Sequence, residues 1–496
     1  MIIPKGKYLR YSQCPKSVWI EKYKSDQIQK KTQDLPLYNP IKIIDEFSVK
    51  LFNSINIVEY TDDKKEKFDY PKMAKKTQDL MKKNIGSIYK ATFEYEGVYF
   101  VIDILKKVKK GYNVYLVRPS KSLRQNFLVE MAYLSFILQK LDVPIYRYCI
   151  LTISQDFVKH GEIDPKKYFK INYVGNKIKK LVLKVEDNLL GYEKVMKSNI
   201  EPEIEYGVGC PNHHSCPYIE ICRKPLPTPS VFDLYACNKK LELYSQNILS
   251  FQDILDNNIT LNPFQKRQIN FTLNNLPMYV DKDNLKLFLN KFTYPLYFLD
   301  FETTQEEFPL FDGIGPFEQI PFEYSLHYIL EEGGKVYHTE YLANENQDPR
   351  VGLVEQLVKD IPQNACIVAY NDSFEKRVIS NLANNFPKYK EHLNNLTKNF
   401  VDLIEPFEKG YVYDKLMGGS FSLKSVLPAL FPNEPDMNYS NLEDIHNGKD
   451  ARLIFPALKY LSEELRLKER DNLLKYCALD TYALVRILEK LKVLCE

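Results

Sequence analysis

Several features that mark other classes of protein are missing from this chain of 496 residues. It contains no run of eighteen apolar residues, so we expect no transmembrane helix. Its first residues, MIIPKGKYLRYSQCPKSVW, carry lysines early and lack an apolar core, so we expect no signal peptide. The sequence also shows no internal repeat and no low-complexity tract. These absences predict a globular, cytoplasmic protein with no membrane partner.

Composition and charge add two expectations. With 44% hydrophobic and 27% charged residues, the chain has the make-up of a globular protein, and its length allows two or three buried cores. The net charge is +3, yet residues 1–225 hold 40 Lys and Arg against 26 Asp and Glu, whereas the remainder holds 28 against 39. We expect the basic part to bind a polyanion and the acidic part to hold metal ions; a merely solvated lysine-rich surface is the alternative.

Three regions differ in their sequence pattern. Residues 1–225 are rich in strand patterns, such as IYKATFEYEGVYFVIDIL with a hairpin turn at Glu96-Gly97. Residues 226–291 follow a proline-rich boundary and predict a small helical connector. Residues 292–496 contain the strand patterns LYFLDFE, FEYSLHYIL, KVYHTEYLA and ACIVAY. Helical patterns lie before and after the last of these strands. The predicted fold class is therefore α/β.

The strand LYFLDFE ends in two carboxylates, Asp300 and Glu302. Residues two apart on a strand point to the same side of the sheet, so these side chains are expected to lie together. Adjacent carboxylates repel each other unless a cation lies between them, and Mg²⁺ or Mn²⁺ prefers oxygen ligands. For this pair alone, a solvated strand end is the alternative interpretation.

Two later segments carry residues of the same chemical type. IVAYNDSFEKRVISNLA predicts a strand, a polar turn at Asn371 and a helix that bears Glu375. In NLLKYCALDTYALVRILEKL, Tyr476 and Asp480 are four residues apart and share one face of a helix. Together with the carboxylate pair, these side chains provide the parts of a two-metal site.

These segments resemble the three motifs of the DnaQ-like (DEDDy) proofreading exonucleases, whose fold is RNase H-like. The resemblance covers residues 292–490, and the matching positions occur in the family's order. They are Asp300, Glu302, Asn371, Glu375, Tyr476 and Asp480. The resemblance implies a 3′–5′ exonuclease whose four acids bind two Mg²⁺ or Mn²⁺ ions and hydrolyse single-stranded DNA or RNA. It also implies that the tyrosine orients or helps to deprotonate the attacking water.

The second motif departs from the family pattern, because Glu375 stands where the family usually has Asp. The longer side chain can still hold a metal, directly or through water. Asp372 is an alternative ligand or a helix cap. Asn371 and Lys424 are assigned to nucleic-acid contacts, with a solvated surface lysine as the alternative for Lys424.

Four of the nine cysteines form a separate pattern, with three at intervals of six and one far upstream. They are Cys14, Cys210, Cys216 and Cys222. The pattern resembles the iron–sulfur nucleases of the PD-(D/E)XK superfamily, although the first gap of the trio is longer than usual there. The resemblance implies a 4Fe-4S cluster. Zn²⁺ with help from His213 and His214 is one alternative, and unligated thiols are another. The other five cysteines are expected to be packing residues.

The same superfamily places an Asp on one strand and Glu-x-Lys on the next. Asp103 fits the first position, but Leu116 and Arg118 stand where the Glu and the Lys belong. Because leucine cannot bind a metal, we expect this nuclease centre to be impaired. Lys106, Lys107 and Arg118 are expected to contact phosphates instead.

The layout as a whole resembles a bacterial family of fusion proteins. It implies a PD-(D/E)XK nuclease-like domain over residues 1–225, the connector over 226–291 and a DnaQ-like exonuclease domain over 292–496. The alternative from a different class is a catalytically inactive nucleic-acid-binding or scaffold protein that is built on two nuclease folds.

Overall fold

The protein has a mixed α/β structure, which confirms the predicted class. The structure, a computed structural model, describes residues 1–28, 40–52, 55–58, 61–62, 67–207, 210, 216–434 and 448–496. They form two compact units. The first unit contains the described residues up to 224 and Glu306–Phe317, and the second contains Pro225–Gln305 and the described part of Glu318–Glu496. None of the helices in these ranges combines the length and apolar character needed to cross a bilayer.

A six-stranded mixed sheet forms the centre of the first unit. The strands of this unit are β1 (Ile55–Ile57), β2 (Thr61–Asp62), β3 (Lys67–Phe68), β4 (Ser87–Tyr95), β5 (Val98–Val108), β6 (Gly111–Val117), β7 (Ile145–Ile153) and β8 (Phe169–Tyr173). The sheet has the order β1-β4-β5-β6-β7-β8, and β2 pairs with β3 separately. The pairs β1–β4 and β6–β7 are parallel, and the other neighbours are antiparallel.

The turn between β4 and β5 confirms the predicted hairpin. Glu96 and Gly97 both have positive φ, at 47° and 77°. Two-residue hairpin loops favour such angles because their twist matches that of the flanking strands, and glycine adopts them without strain.

The first unit also contains helices. They are α1 (Lys5–Gln13), α2 (Pro15–Tyr23), α3 (Pro40–Ser48), α4 (Tyr70–Lys82), α5 (Gln125–Lys140), α6 (Pro165–Tyr168), α7 (Gly175–Val182), α8 (Val185–Lys197) and α9 (Ile219–Cys222). In α5, Phe127, Met131, Leu134 and Leu138 recur at helical spacing and belong to one apolar core with Leu116 of β6.

The second unit contains a five-stranded sheet with the order β12-β11-β10-β13-β14, and β9 pairs with β15 separately. These strands are β9 (Tyr279–Val280), β10 (Leu296–Gln305), β11 (Gln319–Ile329), β12 (Val336–Leu342), β13 (Cys366–Ala369), β14 (Phe400–Asp402) and β15 (Val412–Tyr413). The central strand β10 is antiparallel to β11 and parallel to β13. The four strands predicted from the sequence are all present.

The helices of the second unit include the short ones expected for the connector. They are α10 (Lys240–Ser245), α11 (Phe251–Asp256), α12 (Pro263–Leu273), α13 (Lys282–Leu289), α14 (Pro349–Asp360), α15 (Ser373–Asn385), α16 (Lys390–Leu396), α17 (Glu405–Glu408), α18 (Leu423–Leu430), α19 (Gly448–Ala457) and α20 (Glu463–Cys495). The 33-residue helix α20 begins after Ser462, whose side chain accepts a hydrogen bond from the Leu465 N–H.

The two sides of β10 belong to different cores. Leu296 and Phe298 pack in a core with residues of α20, whereas Leu299 and Phe301 pack in a core with residues of α14 and α15. Side chains alternate along a strand, so the even-numbered residues of β10 face α20.

Candidate metal centre

Asp300 and Glu302 continue the even-numbered side of β10 that faces α20. Glu302 is 7% exposed, and Cys477 of α20 places its Sγ 3.6 Å from Asp300 Oδ2. Asp300 and Glu302 also place carboxylate oxygens within 4.8 Å of each other, as expected for side chains on one side of the sheet.

Asp480, a residue of α20, adds a third carboxylate to this pair. One ligand oxygen each from Asp300, Glu302 and Asp480 lies within 4.8 Å of the other two. Oxygen ligands at such distances can share one divalent cation. Across the described residues, no other three His, Cys, Asp or Glu side chains are grouped this closely. These three residues are called the acidic triad below.

Burial and mutual repulsion perturb the titration of these acids. Burial, followed by the charges of Asp480, Glu302 and Glu375, raises the pKa of Asp300 well above its usual range. Burial, followed by Asp480 and Glu375, raises the pKa of Glu302 to about 8. A bound cation would favour the ionised forms and reverse these shifts.

Glu375 belongs to the same electrostatic cluster, although it is not one of the triad. It lies in the first turn of α15 and is only 3% exposed. Burial raises its pKa to about 8, and its Oε2 has no hydrogen-bond partner among the described residues. The structure therefore brings Glu375 into the electrostatic field of Asp300 and Glu302 but not into the 4.8 Å group.

Five of the predicted site residues line one cavity of about 350 Å³. They are Asp300, Asn371, Lys424, Tyr476 and Asp480. Tyr476 is 6% exposed, and burial followed by the nearby charge of Asp480 raises its pKa far above the usual range. The lining of the cavity thus combines a phenol, two acidic side chains, an amide and a lysine side chain.

The turn before α15 is held by Asp402, a residue that sequence analysis missed. Asn371 adopts a positive φ of 63°, and its N–H donates to Asp402 Oδ1 at 2.8 Å. The N–H of Asp372 donates to Asp402 Oδ2 at 3.1 Å. Asp372 occupies the N-cap position but makes no side-chain cap; it pairs with Lys376 at 2.5 Å. The helix cap considered for Asp372 is therefore wrong, because its carboxylate binds a lysine side chain instead.

Comparison with known proteins adds one finding. Residues 297–422 match DUF2779, a domain of unknown function. No curated protein and no solved structure matches the chain. The DUF2779 match begins on β10 and ends just before α18, so it contains Asp300, Glu302 and Glu375 but neither Tyr476 nor Asp480.

The DUF2779 match contains one further buried acid that sequence analysis missed. Glu323 of β11 lies directly opposite Glu302 and is fully buried, at 0% exposed. Neither of its carboxylate oxygens has a hydrogen-bond partner among the described residues. One sequence feature could have identified Glu323. It is the single acid within the otherwise uncharged segment IPFEYSL, and an acid in a strand that is buried along most of its length is unusual.

In the first unit, the four cysteines predicted as cofactor ligands line one cavity of about 270 Å³. They are Cys14, Cys210, Cys216 and Cys222. None of the four forms a disulfide, and burial raises the pKa of the Cys222 thiol to about 11. No three of these described cysteines bring their sulfur atoms within 4.8 Å of one another. His213 and His214, which the zinc alternative invokes, lie outside the described residues.

The remaining cysteines differ in burial. Cys149, Cys366 and Cys477 are buried, as expected for packing residues, whereas Cys237 and Cys495 are partly exposed.

Asp103 is bound by cationic side chains of its own unit. Arg118 approaches Asp103 Oδ2 at 2.9 Å, and Lys90 approaches Oδ1 at 3.4 Å. Arg118 also pairs with Glu130 of α5, and Lys90 pairs with Asp45 of α3. Although burial alone would raise the pKa of Asp103, the charges of Arg118 and Lys90 hold it below its usual range. Sequence analysis missed these partners of Asp103.

The phosphate-binding role expected for Arg118 requires a correction. Its guanidinium is largely buried and engaged by Asp103 and Glu130, so it does not face a ligand at the surface. Lys106 and Lys107 are partly exposed, and their ammonium groups lie 5.5 Å from the Phe52 ring centre and 4.5 Å from the Tyr112 ring centre. Their assignment to phosphate contacts stays a prediction.

Proposed function

We propose that the protein is a metal-dependent 3′–5′ exonuclease that hydrolyses phosphodiester bonds of single-stranded DNA or RNA. The observation that carries this proposal is the convergence of Asp300, Glu302 and Asp480 within 4.8 Å on the central strand and the long helix. The resemblance to the DnaQ-like exonucleases supplies the reaction. A mixed sheet with acids on its central strand and helices on both sides supports an RNase H-like fold for the second unit.

The side chains of the site fit divalent cations. Its ligands are carboxylates that are buried and repel one another, a combination that favours Mg²⁺ or Mn²⁺ over softer metals. Asp300, Glu302 and Asp480 would hold one ion, and Glu375 is available for a second. Such ions, when bound, activate water and stabilise the charge that develops on the phosphoryl oxygens.

The other residues of the cavity act on the substrate and on water. Tyr476 lines the cavity together with Asp300 and Asp480, and its hydroxyl orients the attacking water through hydrogen bonds. Asn371 and Lys424 line the same cavity and supply an amide and a positive charge for the phosphate and sugar of the terminal nucleotide.

We also propose that the four cysteines of the first unit hold a 4Fe-4S cluster. The observation that supports a shared cofactor is that all four cysteines line one cavity. A cluster there would join the N-terminal helices α1 and α2 to α9.

The first unit acts in this proposal as a binding domain and not as a second nuclease. The carboxylate of Asp103 is neutralised by Arg118 and Lys90, and Leu116 is fully buried in the apolar core. This observation also favours the second candidate function, a catalytically inactive nucleic-acid-binding protein, if the acidic triad proves inert.

The test uses full-length protein, Mn²⁺ and matched DNA and RNA oligonucleotides labelled at the 5′ end. We expect a ladder of products shortened from the 3′ end, and we expect Asp300→Ala or Asp480→Ala to abolish it. Asp471→Asn, which changes an exposed acid on the same helix, is the control and should keep full activity.

Three results would contradict the proposal. Full activity of Asp300→Ala would remove the acidic triad from the mechanism. Activity that survives Asp300→Ala but disappears in Asp103→Ala would move the reaction to the first unit. Oligonucleotide binding without cleavage in the presence of Mn²⁺ would establish the inactive binding protein.

A further inference from the structure

Glu323 is an additional acid on the side of the sheet that carries the acidic triad. It lies on β11 directly opposite Glu302 on β10, and residues directly opposite on antiparallel strands have neighbouring side chains on the same side. Its side chain is fully buried, at 0% exposed. Neither Oε1 nor Oε2 has a hydrogen-bond partner among the described residues.

The charged groups around Glu323 come from three elements. The acids are Glu302 of β10, Asp480 of α20 and Glu340 of β12. The positive charge belongs to Arg470 of α20, whose Nη1 donates to Glu345 Oε2 at 2.9 Å and to the Ala343 carbonyl oxygen at 2.8 Å. Arg470 therefore weakens the repulsion at a distance but is bound elsewhere.

A purely structural role does not explain why Glu323 is buried without a hydrogen-bond partner. A buried carboxylate without hydrogen bonds is unfavourable, and buried charges in proteins are normally paired or bind metals. Burial, followed by the charges of Glu302 and Glu340, raises the pKa of Glu323 well above its usual range.

We propose that Glu323 is a further ligand of the metal centre and binds, directly or through a water molecule, the divalent cation held by Glu302 and Asp480. The inference rests on the proposed function, because it extends the same centre from four acids to five. It adds an acid from β11, a strand to which the three sequence motifs assign no ligand. The unsatisfied oxygens of Glu323 then have a partner whenever the cation is bound.

The test measures Mn²⁺ binding to the full-length, chelator-treated protein by isothermal titration calorimetry, without any nucleic acid. We expect Glu323→Gln to weaken Mn²⁺ binding by about tenfold, a typical loss when a residue that supports a metal site is changed. Its metal-free melting temperature should be equal to or above that of the wild type. Glu302→Gln is the positive control and should lose Mn²⁺ binding.

Glu340→Gln is the matched control, because it removes the same charge one strand farther from the acidic triad, at a half-exposed position. It should bind Mn²⁺ as the wild type does. If Glu323→Gln fails to fold by circular dichroism, Glu323→Leu replaces it and should show the same loss of Mn²⁺ affinity.

Two results would overturn the inference and are distinguishable. Wild-type Mn²⁺ affinity in the Glu323 variant, together with loss of binding in Glu302→Gln, removes Glu323 from the centre and leaves the proposed function intact. Absence of Mn²⁺ binding in the wild-type protein overturns both the inference and the proposed function.

Discussion

Asp300 on β10 and Asp480 on α20 are about 180 residues apart in the sequence, yet each places a carboxylate oxygen within 4.8 Å of the other. Their approach requires α20 to lie across the central strands, where apolar side chains of α20 share a core with Phe298. Without a cation the approach is repulsive, so apolar packing must offset an electrostatic cost at this site. Metal binding should therefore change the stability of the second unit as well as its activity.

Removing one acid should stabilise the metal-free protein. Asp480→Asn removes one ionisable acid from the buried triad and so relieves part of the mutual repulsion, and we expect its free energy of unfolding to rise by about 1 kcal/mol. The melting temperature of the second unit should rise by about 2–4 °C in calorimetry with a chelator present.

The same variant should lose the increase in melting temperature that Mn²⁺ gives the wild type, because a ligand that binds only the folded state stabilises it. Asp471→Asn is the control for removal of a charge from α20, since Asp471 is exposed. A lower metal-free melting temperature for Asp480→Asn would contradict the repulsion argument.

The stability of the metal-free protein should fall as the pH rises toward 8. The pKa values of Glu302 and Glu375 are raised to about 8, whereas an unfolded glutamate titrates near 4.3. Between these values the folded protein binds more protons than the unfolded chain, so the free energy of unfolding decreases with pH. Melting temperatures measured from pH 5.5 to 8.5 with a chelator test this directly.

Saturating Mn²⁺ should flatten that pH dependence, because the metal displaces the protons that the acids retain. Mn²⁺ affinity should therefore increase up to about pH 8, and calorimetry in buffers of different ionisation enthalpy should detect proton release. Glu302→Gln should show a smaller pH slope in the metal-free protein. If the stability of Glu302→Gln depended on pH as steeply as that of the wild type, Glu302 would not be a source of the pH dependence.

Features that depend on local sequence were predictable, and features that depend on strand register were not. The alternation of LYFLDFE placed Asp300 and Glu302 on one side of β10, and the four-residue spacing placed Tyr476 and Asp480 on one helix face. Glu323 was missed because its position opposite Glu302 follows from the β10–β11 register.

The same reason applies to the ion pairs of the first unit. Asp103 and its strand were evident in the sequence, but the approach of Lys90 from β4 depends on tertiary structure, as does the link through Arg118 to Glu130 of α5. Arg118 was consequently assigned to a phosphate contact. The sequence around a lysine or arginine does not show whether its side chain faces solvent or forms a buried ion pair with an acid on a neighbouring strand.

Breaking this ion-pair network should destabilise the first unit. Arg118→Met removes the shared partner of Asp103 and Glu130, which keep only Lys90 and Lys5 respectively, and we expect a loss of about 2 kcal/mol, within the range for a lost hydrogen bond to a charged group. Chemical denaturation of the first-unit transition is the measurement. Lys197→Met, which breaks the exposed pair with Glu193, is the control and should cause no measurable change.

Cofactor content should depend on the cysteines of the first-unit cavity. Protein purified without oxygen should be brown and contain iron, and Cys216→Ser should lose most of both, because serine is a poor ligand for iron–sulfur clusters. Cys237→Ser, a partly exposed cysteine outside that cavity, should retain them. Colourless wild-type protein with stoichiometric zinc would contradict the cluster and favour the zinc alternative.

Tyr476→Phe should separate catalysis from metal binding. The variant keeps the ring that packs in the core but removes the hydroxyl proposed to orient water, so we expect kcat to fall by about tenfold to a hundredfold. Mn²⁺ affinity should stay at the wild-type value, because the phenol keeps its proton and is not a ligand. The measurements are single-turnover cleavage at saturating Mn²⁺ and calorimetric titration of the metal.

Tyr482→Phe is the matched control on the same helix, since its side chain is partly exposed and does not line the cavity with Asp300. It should cleave at the wild-type rate. A parallel loss of Mn²⁺ affinity and rate in Tyr476→Phe would assign the tyrosine to the structure of the centre. An unchanged rate would leave the attacking water to be oriented by the carboxylates alone.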